Sequence, residues 1–162
     1  MPLACLLLFV FIVSGCTNGD IEKPLPIELA REHACAVCGM ITVDFPGAKA
    51  QIHYKNGKID TFCCTLHMFS FYLQPDRPKH ISAIYVNDMG KADWDQPKGQ
   101  WIDAKKAYYV VGGDVMGPHG EALLPFAATK DAEGHISDHR GRIISFDEVN
   151  EGILRPNAHH AH

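Results

Sequence analysis

The chain has 162 residues, 46% of them hydrophobic and 21% charged, with a formal net charge of −4. That length suits one compact domain or two small ones. The acidic balance, without a basic patch, argues against a nucleic-acid partner.

Leu3 to Val13 is almost wholly apolar and runs into Val13-Ser14-Gly15-Cys16. An apolar stretch of this length ending in small residues reads as a secretory signal peptide over 1–15, too short for a membrane span. The cysteine after the small residues resembles a bacterial lipobox, with Cys16 lipidated, although no Lys or Arg precedes the apolar run. The mature chain is therefore expected to be lipid-anchored and periplasmic. Thr17 rather than Asp after Cys16 leans toward the outer membrane, by resemblance to enterobacterial sorting. Residues 16–31 read as the anchored linker, since Thr17 to Pro26 carries Gly19, Asp20 and two prolines.

Next comes Cys35-Ala36-Val37-Cys38-Gly39-Met40. A thiolate at Cys38 and a thioether at Met40 are soft donors of the kind that select Cu(I) over harder cations. Met is also a common core filler, so Met40 gains its meaning from its neighbours. A thioredoxin-type enzyme would place C-x-x-C at the start of a helix, where the dipole lowers the thiol pKa. Here Ile41-Thr42-Val43 follows and favours a strand.

Downstream, the pattern predicts an internal repeat of β-β-α-β order and an α+β fold. Ala48 to Tyr54 reads as a strand, Asn56-Gly57 as a hairpin turn and Lys58 to Phe62 as the partner strand. Thr65 to Leu73 reads as a helix with Leu66, Phe69 and Leu73 on one face, and Ile81 to Val86 as a strand. In the second half Tyr108 to Val111 and Ala122 to Phe126 read as strands, Thr129 to His139 as a helix broken by Gly134, and Arg142 to Phe146 as a strand. Phe62-Cys63-Cys64-Thr65 matches Phe126-Ala127-Ala128-Thr129. The first unit is placed at 32–91, the second at 92–152, and a His-rich tail at 153–162.

With Cys5 and Cys16 set aside, Cys35, Cys38, Cys63 and Cys64 remain, and four cysteines permit three disulfide pairings. Cys63 and Cys64 read either as small packed residues, matching the two alanines of the second unit, or as thiols near a helix start specialised for metal. His67 and Met68 lie one turn after Cys64 and could share its face. In the second half, Gly112 to Gly120 is a glycine-rich loop centred on Met116, with His119 as an extra donor. If the two units pack face to face, Met116 could join Cys38 and Met40 in an open Cu(I) site.

Cys38-Gly39-Met40, Phe45-Pro46-Gly47-Ala48-Lys49-Ala50-Gln51, Tyr85-Val86-Asn87-Asp88-Met89, Trp101-Ile102-Asp103-Ala104-Lys105, Tyr108-Tyr109-Val110-Val111-Gly112, Met116-Gly117-Pro118 and Phe146-Asp147-Glu148-Val149 together resemble NosL. This is the copper-binding accessory lipoprotein of nitrous-oxide reductase. The resemblance covers about Cys35 to Val149. It implies two packed β-β-α-β units, periplasmic lipid anchoring, and Cu(I) delivery through a membrane ABC-type Nos assembly complex to nitrous-oxide reductase. It also implies Cys38, Met40 and Met116 as ligands. Cys35 with Phe62-Cys63-Cys64 departs from the pattern and leaves a second site, a disulfide or a different metal open. The resulting expectation is a copper chaperone that is not an enzyme. Two rivals are a Zn-binding structural or sensory module using Cys35, Cys38 and two of Cys63, Cys64 and His67, and a C-x-x-C thiol-disulfide oxidoreductase.

Overall fold

The computed structural model describes residues 23–155, so the signal, Cys16 and residues 156–162 of the histidine tail lie outside the described residues, while Ile153 and Leu154, read as the start of that tail, are helical. Two antiparallel sheets carry the fold. The first has four strands in the order β2-β1-β3-β4: β1 (Ala50–Tyr54), β2 (Ile59–Phe62), β3 (Ile81–Asn87) and β4 (Trp101–Asp103). The second has three, β5 (Tyr108–Val111) at the centre between β8 (Leu124–Phe126) and β9 (Arg142–Ser145). A short hairpin, β6 (Met116–Gly117) with β7 (Gly120–Glu121), stands apart from both. Helix α1 (Thr65–Tyr72) connects β2 to β3, and α2 (Thr129–His139) connects β8 to β9. In each unit the first strand is central and the helix joins its two flanking strands, as the β-β-α-β repeat requires.

The two units share one core. Phe69 of α1 meets Tyr109 of β5 edge-on at 5.1 Å and Phe146 at 4.9 Å, and Tyr72 meets Phe146 at 5.0 Å. Aromatic pairs at such separations add to simple area burial. Polar bonds fix the same junction. The hydroxyl of Thr65 donates to the Leu123 carbonyl, and Asp88 accepts from the Ala127 backbone N–H at 3.0 Å. The last helix, α3 (Glu151–Leu154), packs on α1.

Two local expectations change, and one strand is new. Ile41 forms only an isolated bridge with Ala34, and Thr42–Asp44 is a 3-10 turn rather than a strand. The reason is Thr42, fully buried, whose hydroxyl and backbone N–H both donate to the His33 carbonyl and fold the chain back. The stretch read as linker is packed on the first sheet from Lys23 onward. Gln51 is buried at 0% exposure, and its amide bonds the N–H and C=O of Ile27 at 2.9 Å each, as a buried amide needs. Tyr85 donates its hydroxyl to the Pro24 carbonyl at 2.7 Å. Strand β4 was not foreseen: a three-residue segment with no flanking repeat gives too short a pattern to read. Among the described residues no helix is long and apolar enough to cross a membrane.

The turn between α2 and β9 depends on Gly141, at φ +112°. A Cβ there would lie 2.8 Å from Val110 Cγ1 and 2.9 Å from the Val111 carbonyl oxygen. Gly141→Ala is expected to cost about 2–4 kcal/mol, from backbone strain plus overpacking. Urea denaturation would show this as a lower midpoint with an unchanged slope; an unchanged midpoint would refute the close approach.

Candidate metal centre

Four pieces of chain converge on one cluster of sulfur and nitrogen donors. The first is a knuckle: the Cys35 N–H donates to the Met40 carbonyl at 2.8 Å, and the Gly39 N–H to the Cys35 carbonyl at 2.8 Å. Gly39 takes φ +73°, which favours glycine, and this closes the turn. The knuckle docks on the edge of β2 through a Cys35–Thr61 bridge, the Ala36 N–H on the Thr61 carbonyl at 2.9 Å, and the Thr61 hydroxyl on the Ala34 carbonyl at 2.8 Å.

The second piece is the junction of β2 and α1, carrying Cys63 and Cys64. Cys64 is the N-cap of α1, its sulfur accepting from the His67 N–H at 3.5 Å. His67, in the first turn, is the third. The fourth is the β6–β7 hairpin, whose tip is Pro118-His119.

The distances are short. Cys38 Sγ lies 3.7 Å from Cys63 Sγ and 3.9 Å from His119 Nε2. His119 Nε2 lies 3.4 Å from Cys63 Sγ, while His67 Nδ1 lies 3.5 Å from Cys63 Sγ and 3.6 Å from Cys35 Sγ. The two imidazoles stack at 3.8 Å. Two overlapping quartets result, Cys35-Cys38-Cys63-His67 and Cys63-Cys64-His67-His119, each with its donor atoms within 4.8 Å of one another. None of these four cysteines is joined in a disulfide in the structure, and Cys38 is the exposed one.

Packing alone does not account for the paired cysteines. Their counterparts Ala127 and Ala128 are exposed at the start of α2, whereas Cys63 and Cys64 are buried. A shared need for small buried residues at a helix start is therefore absent. Interaction with the neighbouring Cys35 and Cys64 sulfurs, together with burial, holds the Cys63 thiol well above its ordinary pKa. Interaction with Cys63 lowers both Cys35 and Cys64, in each case against the opposing effect of burial. Thiolates are the metal-binding form of cysteine, so the cluster is prepared to bind soft ions. His119 is lowered by burial and by the neighbouring His67, which favours the neutral imidazole that metals bind.

The residues named from sequence are distributed unevenly. His67 and His119, read there only as extra donors, are at the centre of the cluster. Met116 is 64% exposed on β6, so the loop reaches the cysteines through His119. Met40 is half-buried and its carbonyl closes the knuckle. Met68, expected to share a face with Cys64 and His67, is fully buried in the hydrophobic core.

Sequence reading did not single out Lys49. Its ammonium is buried and donates to the carbonyls of Phe45 at 2.5 Å, Pro46 at 3.2 Å, Gly47 at 2.8 Å and Cys63 at 3.1 Å. Burial pulls its pKa down to about 8, opposed by the charges of Cys63 and Cys64. A lysine flanked by Ala48 and Ala50 at the start of the strand read over Ala48 to Tyr54 was the available signal.

The family model for NosL matches residues 26–154. The chain belongs to the NosL family. It is 37% identical over 158 residues to the copper-binding lipoprotein NosL of Stutzerimonas stutzeri, covering 96% of this chain and 83% of the relative. With the copper-binding lipoprotein NosL of Achromobacter cycloclastes it shares 30% identity over 148 residues, 88% of this chain and 77% of the relative. The crystal structure of the copper chaperone NosL from Shewanella denitrificans superposes with a TM-score of 0.73 at 33% identity, covering 80% of this chain and 98% of that one. These NosL proteins are named for binding or carrying copper, none for a reaction.

Lys49→Met would leave four carbonyls without their donor. It is expected to destabilise the metal-free protein by about 2–4 kcal/mol in urea denaturation. An unchanged midpoint would show that the ammonium does not hold the Cys63 junction.

Proposed function

We propose that this chain is a Cu(I) carrier of the bacterial cell envelope, tethered by lipid on Cys16, that delivers copper for assembly of nitrous-oxide reductase. The observation that supports it most is the join between exposed and buried donors: Cys38, open to solvent, lies 3.7 Å from buried Cys63 and 3.9 Å from His119. Cu(I) favours soft thiolate and thioether ligands and also accepts imidazole. The copper-binding and lipoprotein names of the relatives agree with this reading.

In the proposed mechanism, Cys38 binds the arriving ion as a thiolate and is also the donor a partner ligand displaces. Met40, two residues on, would supply neutral sulfur that shields the ion without adding charge, and Met116, exposed at the base of the hairpin that carries His119, would join it by turning inward. His119 closes over Cys38 from the hairpin tip. An open edge of this kind permits ligand exchange, whereas a fully closed shell retains its metal for structure. Tethering to a membrane raises the effective concentration for a membrane-bound acceptor, for which we propose the Nos-type ABC assembly complex, and through it the reductase. The periplasmic side and an outer-membrane anchor belong to the same proposal.

A second reading has its own support. Cys35, Cys38, Cys63 and His67 are four donors of the number and type that hold structural Zn. An anaerobic competition titration of the reduced full-length protein separates the two. The copper reading predicts a folded apo protein binding Cu(I) tightly, roughly a hundredfold more weakly in Cys38→Ser. About a tenfold loss is expected in His119→Ala and in Met40→Ala with Met116→Ala. Tight Zn(II) binding indifferent to both methionines, with unfolding on chelation, would overturn the carrier in favour of the structural site.

A further inference from the structure

A second group of metal-binding side chains stands on α2, outside the cysteine cluster. His135 and His139 are one helical turn apart, the i, i+4 spacing that places two imidazoles on one face where a single ion can chelate them. The rings already stack, with centroids 4.7 Å apart and planes inclined by 25°. Two metal–nitrogen bonds of about 2.1 Å at a tetrahedral angle bring the donor atoms about 3.4 Å apart, so the stacked rings would turn to aim their nitrogens at one ion.

A carboxylate orients one of the pair. His139 Nδ1 lies 3.2 Å from Asp114 Oδ1, so its N–H donates to Asp114 and leaves the Nε2 lone pair for a metal. Carboxylate-to-imidazole bonds of this kind fix the tautomer and raise the basicity of metal-bound histidines. Asp114 is itself fixed: its N–H donates to the His139 carbonyl at 3.2 Å, and its other carboxylate oxygen lies 3.8 Å from Arg140 Nε. Gly113 permits the approach, since a Cβ there would sit 3.2 Å from the same His139 carbonyl oxygen.

Both imidazoles line a cavity of about 340 Å³ whose walls include Met89, Trp94, Val115 and Leu124. One side of the pair is thus sheltered by apolar groups, while His139 is 48% exposed at its side chain. An ion could enter from solvent and keep water on its remaining positions.

We propose that His135 and His139, oriented by Asp114, form a second metal site for a borderline divalent transition ion. Two imidazoles with a carboxylate behind them match Cu(II), Ni(II) or Zn(II), and they contrast with the thiol-rich Cu(I) cluster. The loop that begins at Asp114 ends at His119, and Trp94 borders the cavities next to both sites. This site stands independently of the copper-carrier reading.

Ni(II) is a suitable probe because thiols do not reduce it and its paramagnetic form broadens nearby nuclear magnetic resonances. The full chain would be titrated with Ni(II) while the imidazole signals and the Met89 methyl are followed. His135, His139 and Met89 are expected to broaden together below one equivalent. His135→Gln should raise the Ni(II) needed to broaden His139 at least tenfold, and Asp114→Asn should raise it roughly tenfold. Circular dichroism of each variant would confirm that α2 remains folded. Broadening confined to His159, His160 and His162, or to His67 and His119, would overturn the proposal. So would a His139 response unchanged by His135→Gln in the folded variant.

Discussion

The docking of the knuckle on the free edge of β2 is the contact on which the donor cluster depends. An edge strand offers unpaired N–H and C=O groups, and Thr61 uses both its backbone carbonyl and its hydroxyl to hold Ala34 and Ala36. Between those two residues sits Cys35, buried and bridged to Thr61. Two residues past Thr61, the chain turns from β2 into α1 at Cys63 and Cys64. A sequence separation of 25 residues between Cys38 and Cys63 is thereby reduced to 3.7 Å between sulfurs. Lys49 holds the same corner from beneath, gathering the carbonyls of the preceding loop and of Cys63 around one ammonium.

Electrostatics then divide the labour among the thiols. Charges this close repel, so neighbouring thiols do not all ionise together. Interaction with Cys63 favours the ionised form of Cys35 and of Cys64, while Cys63 itself is pushed toward the protonated form. Lys49 lies close enough to Cys63 and Cys64 for negative charge there to oppose the lowering of its pKa by burial. Cys38 is the member of this group that reaches solvent, and His119 arrives from the other unit of the fold. The first unit supplies the thiols and His67, and the second adds His119 from the hairpin.

Much of the architecture was legible because it is periodic. The alternation from Ala48 to Tyr54, the Asn56-Gly57 turn and the proline after Leu73 each carry a local physical signal, and the repeat of Phe62–Thr65 at Phe126–Thr129 tied the halves together. The packing of residues 23–31 was not legible because composition favours loops wherever Gly, Asp and Pro cluster, while the bond from Gln51 to Ile27 is a tertiary event. Likewise, soft-donor chemistry identified Cys38 and the Gly112–Gly120 loop, but only the hairpin register decides which side chain points inward. Gly117 pairs with Gly120, which puts Pro118 and His119 at the tip and Met116 at the base opposite Glu121. Met68 shows the complementary limit, since helical spacing gives a face without saying whether that face meets core or cluster.

X-ray absorption at the copper edge of the Cu(I)-loaded full-length protein tests the central claim most directly. A centre spanning Cys38 and the hairpin predicts a mixed shell, with thiolate sulfur at about 2.2–2.3 Å and imidazole scattering that weakens in His119→Ala. A shell that is unchanged by both Cys38→Ser and His119→Ala would contradict it, and would place the ion wholly among the buried donors.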